Sequence, residues 1–485
     1  MKFFESIDSM SETDSLLQSL NRREDEEKLS FTVVVAALFS ALGSINFGYA
    51  ISWSSSAIPN MNEDISFLNK THLTSSDESW IVSTLTLGAV AGTLFAAKMC
   101  DYFGRRITLL CEVFPALCGW LLIALGQNVP MLVLGRLSTG VSIGIHNTAC
   151  PPFLIEISPP ASRGFIGAIF QIGINLGLFI AYCMGLLFDW RVTAYIGAVF
   201  CVTMFAGLLF MKESPIWLMK NSRSNDKAIK AFMFYRNSDD INDFLNGLNR
   251  RHSTTNSILT QTETGWLTDL RHPLFYKPLF LVFFMSLAFQ FSGITVICSF
   301  TEKILKDASI DHIVLGSILI GLLQVFGGIV GSIISTKLPR KGHYLITGLL
   351  TSFGLGISGA SIYIHQYVTE ESRLTGYLVL FCVVFTITVF VCGSGTITWA
   401  YVGELLPAHN SGLVVGAGSF TNWVTCFILT YFFNDMANDL HIYGIFYLYC
   451  FVLFLCTIAL VPLPETKGKS LLEIQRAIHY SIQGD

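Results

Sequence analysis

The sequence predicts an all-α membrane protein with twelve transmembrane helices in two pseudo-symmetric six-helix bundles. The prediction depends on an apolar composition, on recurring apolar stretches and on a motif repeated at half-length. Of the 485 residues, 52% are hydrophobic and 13% are charged, and the mean hydropathy is +0.57. A soluble domain has about 25% charged residues. A stretch of about 20 apolar residues crosses a bilayer core, where its backbone groups must be paired within a helix.

Twelve apolar stretches along the chain are long enough to cross a bilayer. We place the helices at about residues 30–50, 79–98, 107–126, 130–150, 164–187, 191–211, 278–299, 313–335, 343–364, 376–402, 411–433 and 441–461. One long polar segment, 212–277, is rich in Ser, Thr, Asn and charge, and we expect a loop with short helices there. The predicted organisation is a tail at 1–29, a first bundle at 30–211, the loop at 212–277, a second bundle at 278–461 and a tail at 462–485.

The placement of positive charge predicts the orientation. If the first tail is cytosolic, all but six of the 30 Lys and Arg residues fall on the cytosolic side. The six exceptions are Lys70, Arg136, Arg191, Lys303, Lys306 and Arg373. Because cytosolic loops are enriched in Lys and Arg, we expect both tails in the cytosol. The glycosylation sequon at Asn69 falls on the opposite side, which agrees with this orientation.

One motif occurs twice at the same place in each half of the chain. The pattern E-x-x-P-x-x-x-x-G begins at Glu156 and again at Glu404, 248 residues later. Both copies lie at the cytosolic end of the fourth predicted helix of their half. Two parallel repeats are the organisation of major facilitator transporters, in which the solute site lies between the halves.

An ordered set of short motifs runs along nearly all of residues 30–475. The motifs are D-x-x-G-R-R at 101–106, G-R at 135–136, P-x-x-x-x-E-x-x-P-x-x-x-R at 151–163, E-S-P-x-W-L at 213–218, Q-x-S-G at 290–293, Trp399, N-W at 422–423 and P-E-T-K-G at 464–468. This set resembles the sugar porter family of the major facilitator superfamily. Within it, the chain is most similar to animal facilitative hexose transporters and insect trehalose transporter-like proteins.

Charged residues at the cytosolic helix ends are candidates for a gate. Acidic and basic side chains there can pair across the two halves while the cytosolic face is closed, and they must separate when it opens. The alternative is that they fix topology and cap helices. The resemblance favours the gate, and the candidates are Asp101, Arg105, Arg106, Glu156, Arg163, Glu213 and Glu404.

A polyhydroxylated solute needs hydrogen-bonding side chains in an apolar cavity and an aromatic face. The resemblance implies that the intramembrane candidates contact the solute, although each alone could be a helix–helix hydrogen bond. They are Gln171, Gln290, Gln324, Trp399 and Asn422.

The chain departs from the family pattern at several positions. Two amides of the family's seventh helix are replaced by Phe289 and Thr295, and Thr396 stands where the family has proline. The connection at 336–343 has lost the D-x-x-G-R-R pattern, and Ser411 replaces an arginine. These departures leave the identity of the solute open.

Three functions remain open for this fold. Facilitative uniport of a hexose or small disaccharide is expected, because the first helix lacks the acid that proton-coupled sugar porters carry. Proton-coupled symport through Glu112 or His146 is the alternative, since ionisable residues in spans are functional candidates. A non-transporting sugar sensor is the third.

The sequence contains no nucleophile–base set, metal-ligand cluster or nucleotide loop, so we expect neither an enzyme nor a cofactor or metal site. The twelve cysteines follow no ligand spacing.

The expected partners are the solute and the lipid bilayer, with no nucleic acid, and the protein is expected to be a monomer. Glu12, Leu16 and Leu17 match the [DE]-x-x-x-L-L signal recognised by clathrin adaptors. The expected location is the plasma membrane or an endosomal or lysosomal membrane.

Overall fold

The computed structural model describes residues 29–64, 72–159, 162–221, 225–236, 273–307, 313–368, 372–405, 411–467 and 469. Seventeen helices account for most of these residues. They are α1 (Phe31–Glu63), α2 (Ser75–Phe103), α3 (Arg105–Ala124), α4 (Val129–Ile157), α5 (Arg163–Leu187), α6 (Trp190–Leu209), α7 (Pro215–Asn221), α8 (Asn225–Tyr235), α9 (Pro273–Phe291), α10 (Ile294–Ser299), α11 (Thr301–Asp307), α12 (Ile313–Lys337), α13 (Arg340–Tyr367), α14 (Arg373–Cys392), α15 (Ser394–Glu404), α16 (Ser411–Tyr431) and α17 (Phe433–Ala459).

Within the described part of the chain, eleven helical segments are long and apolar enough to cross a membrane. Two of them join adjacent helices, at Tyr276–Ser299 and Arg373–Trp399. The 21-residue helix α16 supplies a further apolar segment between the last two. Large side chains such as Phe326, Phe353 and Phe381 are about two-thirds exposed on these helices. Such a surface suits lipid, and the protein is a multi-pass integral membrane protein.

Several helices extend well beyond the predicted apolar stretches. The first reaches Glu63 rather than residue 50, and the fourth runs over Val129–Ile157 rather than 130–150. Hydropathy marks only the part of a helix inside the hydrocarbon, whereas backbone hydrogen bonding continues through polar turns. Arg136 needs a separate correction, because we counted it among the positive charges of the non-cytosolic side. It is fully buried inside α4.

The helices of the two halves pack in matching pairs. In the first half α1 packs on α5, α2 on α4, and α3 on α6. In the second half α9 packs on α16, α12 on α14, and α13 on α17. We count α9 with α10 as one span and α14 with α15 as another, so that each half has six spans. In both halves the first span then packs on the fifth, the second on the fourth, and the third on the sixth. The packing therefore has the pseudo-symmetry that the sequence repeat predicts.

The seventh span is broken at Gly293, between α9 and α10. Gly293 has φ +77°, in the left-handed region that glycine adopts without steric cost. The side chain of Ser292 accepts a hydrogen bond from the backbone of Ile294, which pairs a group that the break would leave free. The break directs α10 and α11 across the space between the two halves.

The two ends of the bundle are distinguished by their connections. We call the side that carries Gly104 and Glu213 the inner face, which the charge pattern predicts to be cytosolic. The side that carries Thr74 and Asn434 is the outer face. The halves meet where α2 packs on α16, where α5 packs on α12, and where α10 and α11 contact α1.

Candidate functional site

A central cavity lies between the two halves, and about 680 Å³ inside it is not filled by protein atoms. All five predicted solute contacts line it: Gln171 from α5, Gln290 from α9, Gln324 from α12, Trp399 from α15 and Asn422 from α16. The fold therefore brings together side chains from both halves that are up to 251 residues apart.

Amides from α5 and α12 meet on one side of the cavity. Gln171 Nε2 donates to Asn175 Oδ1 at 3.2 Å, and Asn175 Nδ2 donates to the backbone oxygen of Gln324 at 3.1 Å. The Gln324 amide nitrogen lies 3.3 Å from Cys298 Sγ. A chain of hydrogen bonds thus crosses from the first half to the second at the cavity wall.

A second amide pair lies on the other side of the cavity. Gln290 Nε2 donates to Asn422 Oδ1 at 3.0 Å, and both side chains are buried. Gln290 Oε1 and Trp423 Nε1 are buried without a hydrogen-bond partner among the described residues. An acceptor and a donor that are both unpaired are suited to a solute hydroxyl, which can donate and accept.

Aromatic rings form the remaining wall of the cavity. Trp399 meets Phe289 edge-on at 5.7 Å, and Phe289 meets Phe390 at 5.2 Å. From the first half, Phe47 lies 5.8 Å from Trp423. Such apolar faces pack against the C–H surface of a sugar ring. Phe289 occupies the place of a family amide, so this side of the cavity is more apolar than the family pattern implies.

None of the described residues that line the cavity carries a charge. A charged solute would lose its hydration there without gaining a partner of opposite charge. The described residues also contain no group of three or more His, Cys, Asp or Glu side chains that could hold a metal ion. The cavity chemistry therefore suits an uncharged, hydroxyl-rich molecule.

The sequence prediction missed four polar lining residues: Asn147, Asn175, Thr295 and Thr396. Asn175 could have been found, because it follows Gln171 by four residues and so lies on the same helix face. Thr295 and Thr396 were noted only as departures from the family. Their hydroxyls enter the cavity wall because both helices are interrupted just before them, at Gly293 and Gly393.

At the inner face, predicted gate residues of the first half whose side chains are described lie in one network. Arg105 pairs with Glu156 at 2.9 Å, and the other oxygen of Glu156 accepts a hydrogen bond from Ser214. The Asp101 backbone oxygen accepts from the Trp217 indole at 3.0 Å. The described bonds of this network stay within the first half and the start of the loop at 212–277, and none of them reaches the second half.

Glu213 caps a helix rather than pairing with an arginine side chain. Its carboxylate accepts from the backbone N–H groups of Arg106 and Ile107, at 2.9 and 3.3 Å, at the start of α3. The Arg106 side chain instead donates to the backbone oxygens of Leu208 and Leu209. Capping by a carboxylate suits a helix N-terminus because unpaired N–H groups point there.

The second half repeats this cap despite its lost motif. Glu465 accepts from the backbone N–H groups of Arg340 and Lys341, at 3.0 and 3.1 Å, at the start of α13. Partial burial alone would raise the pKa of Glu465. Backbone donors from Lys467, Lys341, Arg340 and Thr466 outweigh burial and hold that pKa below its usual value. The cap needs backbone donors, so it survives the loss of D-x-x-G-R-R.

The two intramembrane ionisable candidates contact one another. His146 Nδ1 lies 2.8 Å from Glu112 Oε1, and His146 Nε2 lies 3.0 Å from Ser44 Oγ. Both side chains are buried inside the first half. The His146 ring stacks on Phe170, and neither His146 nor Glu112 lines the cavity. No pattern in the sequence indicates a contact between these two residues, which are 34 positions apart.

Hydrogen bonds between the halves close the outer side of the cavity. Ser54 Oγ donates to the backbone oxygen of Ser299 at 3.2 Å, and the backbone N–H of Glu302 donates to Ser55 Oγ at 3.1 Å. These bonds hold the broken seventh span against α1. The structure therefore has a closed outer side.

Several predicted residues lie outside what the structure describes. They are the sequon residue Asn69 and the tail residues Glu12, Leu16 and Leu17. The backbones of Arg163 and Glu404 are helical, but their side chains are not described. Glycosylation, the sorting signal and a link between the halves at the inner face stay predictions.

Comparisons with known proteins agree with the predicted family and fold. The family model "Sugar (and other) transporter" matches residues 36–478. The chain is 30% identical to a facilitated trehalose transporter Tret1-2 homolog of Drosophila simulans, over 92% of this chain and 91% of that protein. It is also 30% identical to solute carrier family 2, facilitated glucose transporter member 8, of Bos taurus, over 91% and 93% of the two chains.

Solved structures give the same fold. The xylose transporter XylE from E. coli, in a partially occluded inward open conformation, matches with a TM-score of 0.71 at 20% identity, over 91% of this chain and 100% of that chain. The same transporter, described as a proton:xylose symporter, matches in a sugar-bound structure with a TM-score of 0.73 over 93% and 99%. These matches confirm the predicted major facilitator fold. The chain belongs to the sugar porter family of the major facilitator superfamily, a family of transporters rather than enzymes.

Proposed function

We propose that this protein moves a neutral sugar, a hexose or small disaccharide, across a membrane by facilitative alternating access. The observation that carries the proposal is the central cavity, in which amides from both halves converge and no described side chain is charged. The relatives named for trehalose and glucose transport support the same solute class.

The cavity geometry suggests how binding couples to movement. Gln171 belongs to the first half, whereas Gln290 and Asn422 belong to the second, so a solute that contacts all three is held by both halves. Binding then favours states in which the halves are close around the solute. A change that opens one face and closes the other can follow without loss of the solute.

We further propose that the charged network of the inner face acts as the gate. Arg105, Glu156 and Glu213 fix the first-half helix ends that line this face. Arg163 and Glu404 are the proposed links between the halves, with Asp101 and Arg106 anchoring the α2–α3 turn. When the inner face opens, the links between halves separate while the network within the first half persists.

Counterflow of labelled sugars into proteoliposomes tests the proposal. Vesicles preloaded with unlabelled glucose, trehalose or xylose should take up the matching labelled sugar for at least one of the three. The same sugar should raise the melting temperature of the purified protein. Stabilisation without counterflow would favour the sensor, and the absence of both for all neutral sugars tested would refute a sugar carrier.

Proton-coupled symport is the second candidate, because the Glu112–His146 contact is a buried ionisable pair inside a membrane span. It stays second because neither Glu112 nor His146 lines the cavity and the first helix carries no acid in the region around Asn46. Uptake that requires a pH gradient would decide for this candidate.

We propose cytosolic tails at 1–29 and 462–485, bundles at 30–211 and 278–461, and a cytosolic loop at 212–277. The charge distribution supports this arrangement. We also propose a monomer at the plasma membrane or an endosomal or lysosomal membrane, with a clathrin adaptor bound at the tail signal. Opposite-side labelling of tags on the two tails would contradict the topology.

A further inference from the structure

An ion pair at the outer face joins the two halves of the protein. Lys303 Nζ of α11 lies 2.9 Å from Glu78 Oε2 in the first turn of α2. It also lies 2.8 Å from Asn434 Oδ1 in the first turn of α17. Glu78 belongs to the first half, whereas Lys303 and Asn434 belong to the second.

Asn434 connects the halves a second time. Its side chain is 2% exposed, and Nδ2 lies 3.0 Å from the backbone oxygen of Ser75, 3.2 Å from Ser79 Oγ and 3.4 Å from Glu78 Oε2. Every one of these acceptors is in α2. A buried amide with such partners fixes the start of α17 against the start of α2, because losing them would leave polar groups buried and unpaired.

We propose that Glu78, Lys303 and Asn434 form an outer latch that sets the balance between the outer-closed and outer-open states. None of the three lines the cavity, so they are positioning residues and not solute contacts. The latch bonds cross between halves, and they must therefore break each time the outer face opens. Removing the latch bonds should favour the outer-open state by the same free energy with which these bonds stabilise the outer-closed state.

The chain contains a matched pair for comparison. Arg191 and Asp64 form an ion pair of 2.8 Å at the outer face, with side chains 35% and 22% exposed. Lys303 and Glu78 are similarly exposed, at 33% and 13%. Arg191 and Asp64 both belong to the first half, so their pairing does not change when the halves separate.

The inference rests on the proposed alternating access, so its test measures conformation and not transport. Spin labels on genetically encoded residues at positions 127 and 368 report the separation of the halves, because both positions are exposed at outer helix ends. Lys303→Met and Asn434→Ala should each raise the population of molecules with the long, outer-open distance relative to those with the short, outer-closed distance, by about 3- to 30-fold. Arg191→Met should leave that ratio unchanged.

A charge exchange tests the latch against general damage. Glu78→Lys alone should open the outer face, because it puts two positive charges together. Glu78→Lys combined with Lys303→Glu should move the distance back toward the closed one, because opposite charges again face each other across the halves. Circular dichroism melting verifies that each variant is folded. Unchanged distances in folded Lys303→Met, an equal shift in Arg191→Met, or no rescue by the exchange would overturn the latch. A distance shift in a protein that moves no sugar would keep the latch and reject the proposed function.

Discussion

Gln290 provides the most direct test of the binding site. Its side chain is 2% exposed, donates to Asn422 Oδ1 at 3.0 Å and has an oxygen without a partner among the described residues. Gln290→Met removes the amide at nearly constant volume, whereas Gln290→Ala also leaves a cavity. The comparison separates the loss of hydrogen bonding from the loss of packing.

The expected magnitude follows from the groups left unpaired. Without Gln290, the Asn422 oxygen loses its donor, and a bound solute loses the contact to the free Gln290 oxygen. A buried polar group left without a partner costs about 1–3 kcal/mol. At about 1.4 kcal/mol for each tenfold change, solute affinity should fall roughly 5- to 150-fold.

Solute affinity is measured by thermal stabilisation and by the concentration dependence of counterflow. Gln171→Ala and Trp399→Ala should weaken affinity over the same range. The control is Gln127→Ala, which changes an exposed amide in the connection between α3 and α4. Because Gln290 and Asn422 touch, the double variant should lose less affinity than the two single losses combined. Wild-type affinity in folded Gln290→Met would refute the assignment of this site.

Three further predictions concern coupling, sorting and pH. Uptake should proceed at equal pH on both sides; accumulation against a gradient that a protonophore and Glu112→Gln both abolish would contradict this. Leu16→Ala with Leu17→Ala should increase surface biotinylation, and an unchanged distribution would make the tail motif a coincidence. Burial and the nearby Glu63 carboxylate raise the pKa of Glu302 to about 7. Glu302 in the outer-closed state therefore holds its proton more tightly than a solvated glutamate does. Protonation of Glu302 should favour the outer-closed state fully at about pH 4, and this stabilisation should be lost as the pH rises to about 7. The outer distance should show that trend, and Glu302→Gln should remove it.

The network at the inner face changes how the gate must be tested. The sequence suggested Arg–Glu pairs between the halves, but the described pairs join helices of the first half, and Glu213 caps α3 through backbone N–H groups. Substitution of Arg105 or Glu213 therefore tests the integrity of the first half. A link between the halves has to be tested at Arg163 and Glu404.

The sequence by itself determined the class of the protein. Its low charge and its recurring apolar stretches require membrane-spanning helices, because backbone groups inside a bilayer have no other partners. The repeat at Glu156 and Glu404 indicated two related halves before any contact was known. The five predicted solute contacts line one cavity, because the family resemblance that suggested them extends over nearly all of residues 30–475.

The tertiary structure decided which side chains meet. Helical periodicity fixes the face on which a residue lies, but the rotation and crossing of helices depend on packing along their whole length. The contact of Glu112 with His146 and the burial of Arg136 follow from that packing. So does the bonding of Lys303 to Glu78 across the outer face, which joins residues 225 positions apart. Contacts over such separations are set by how the two halves dock, and docking involves surfaces that no local pattern in the sequence describes.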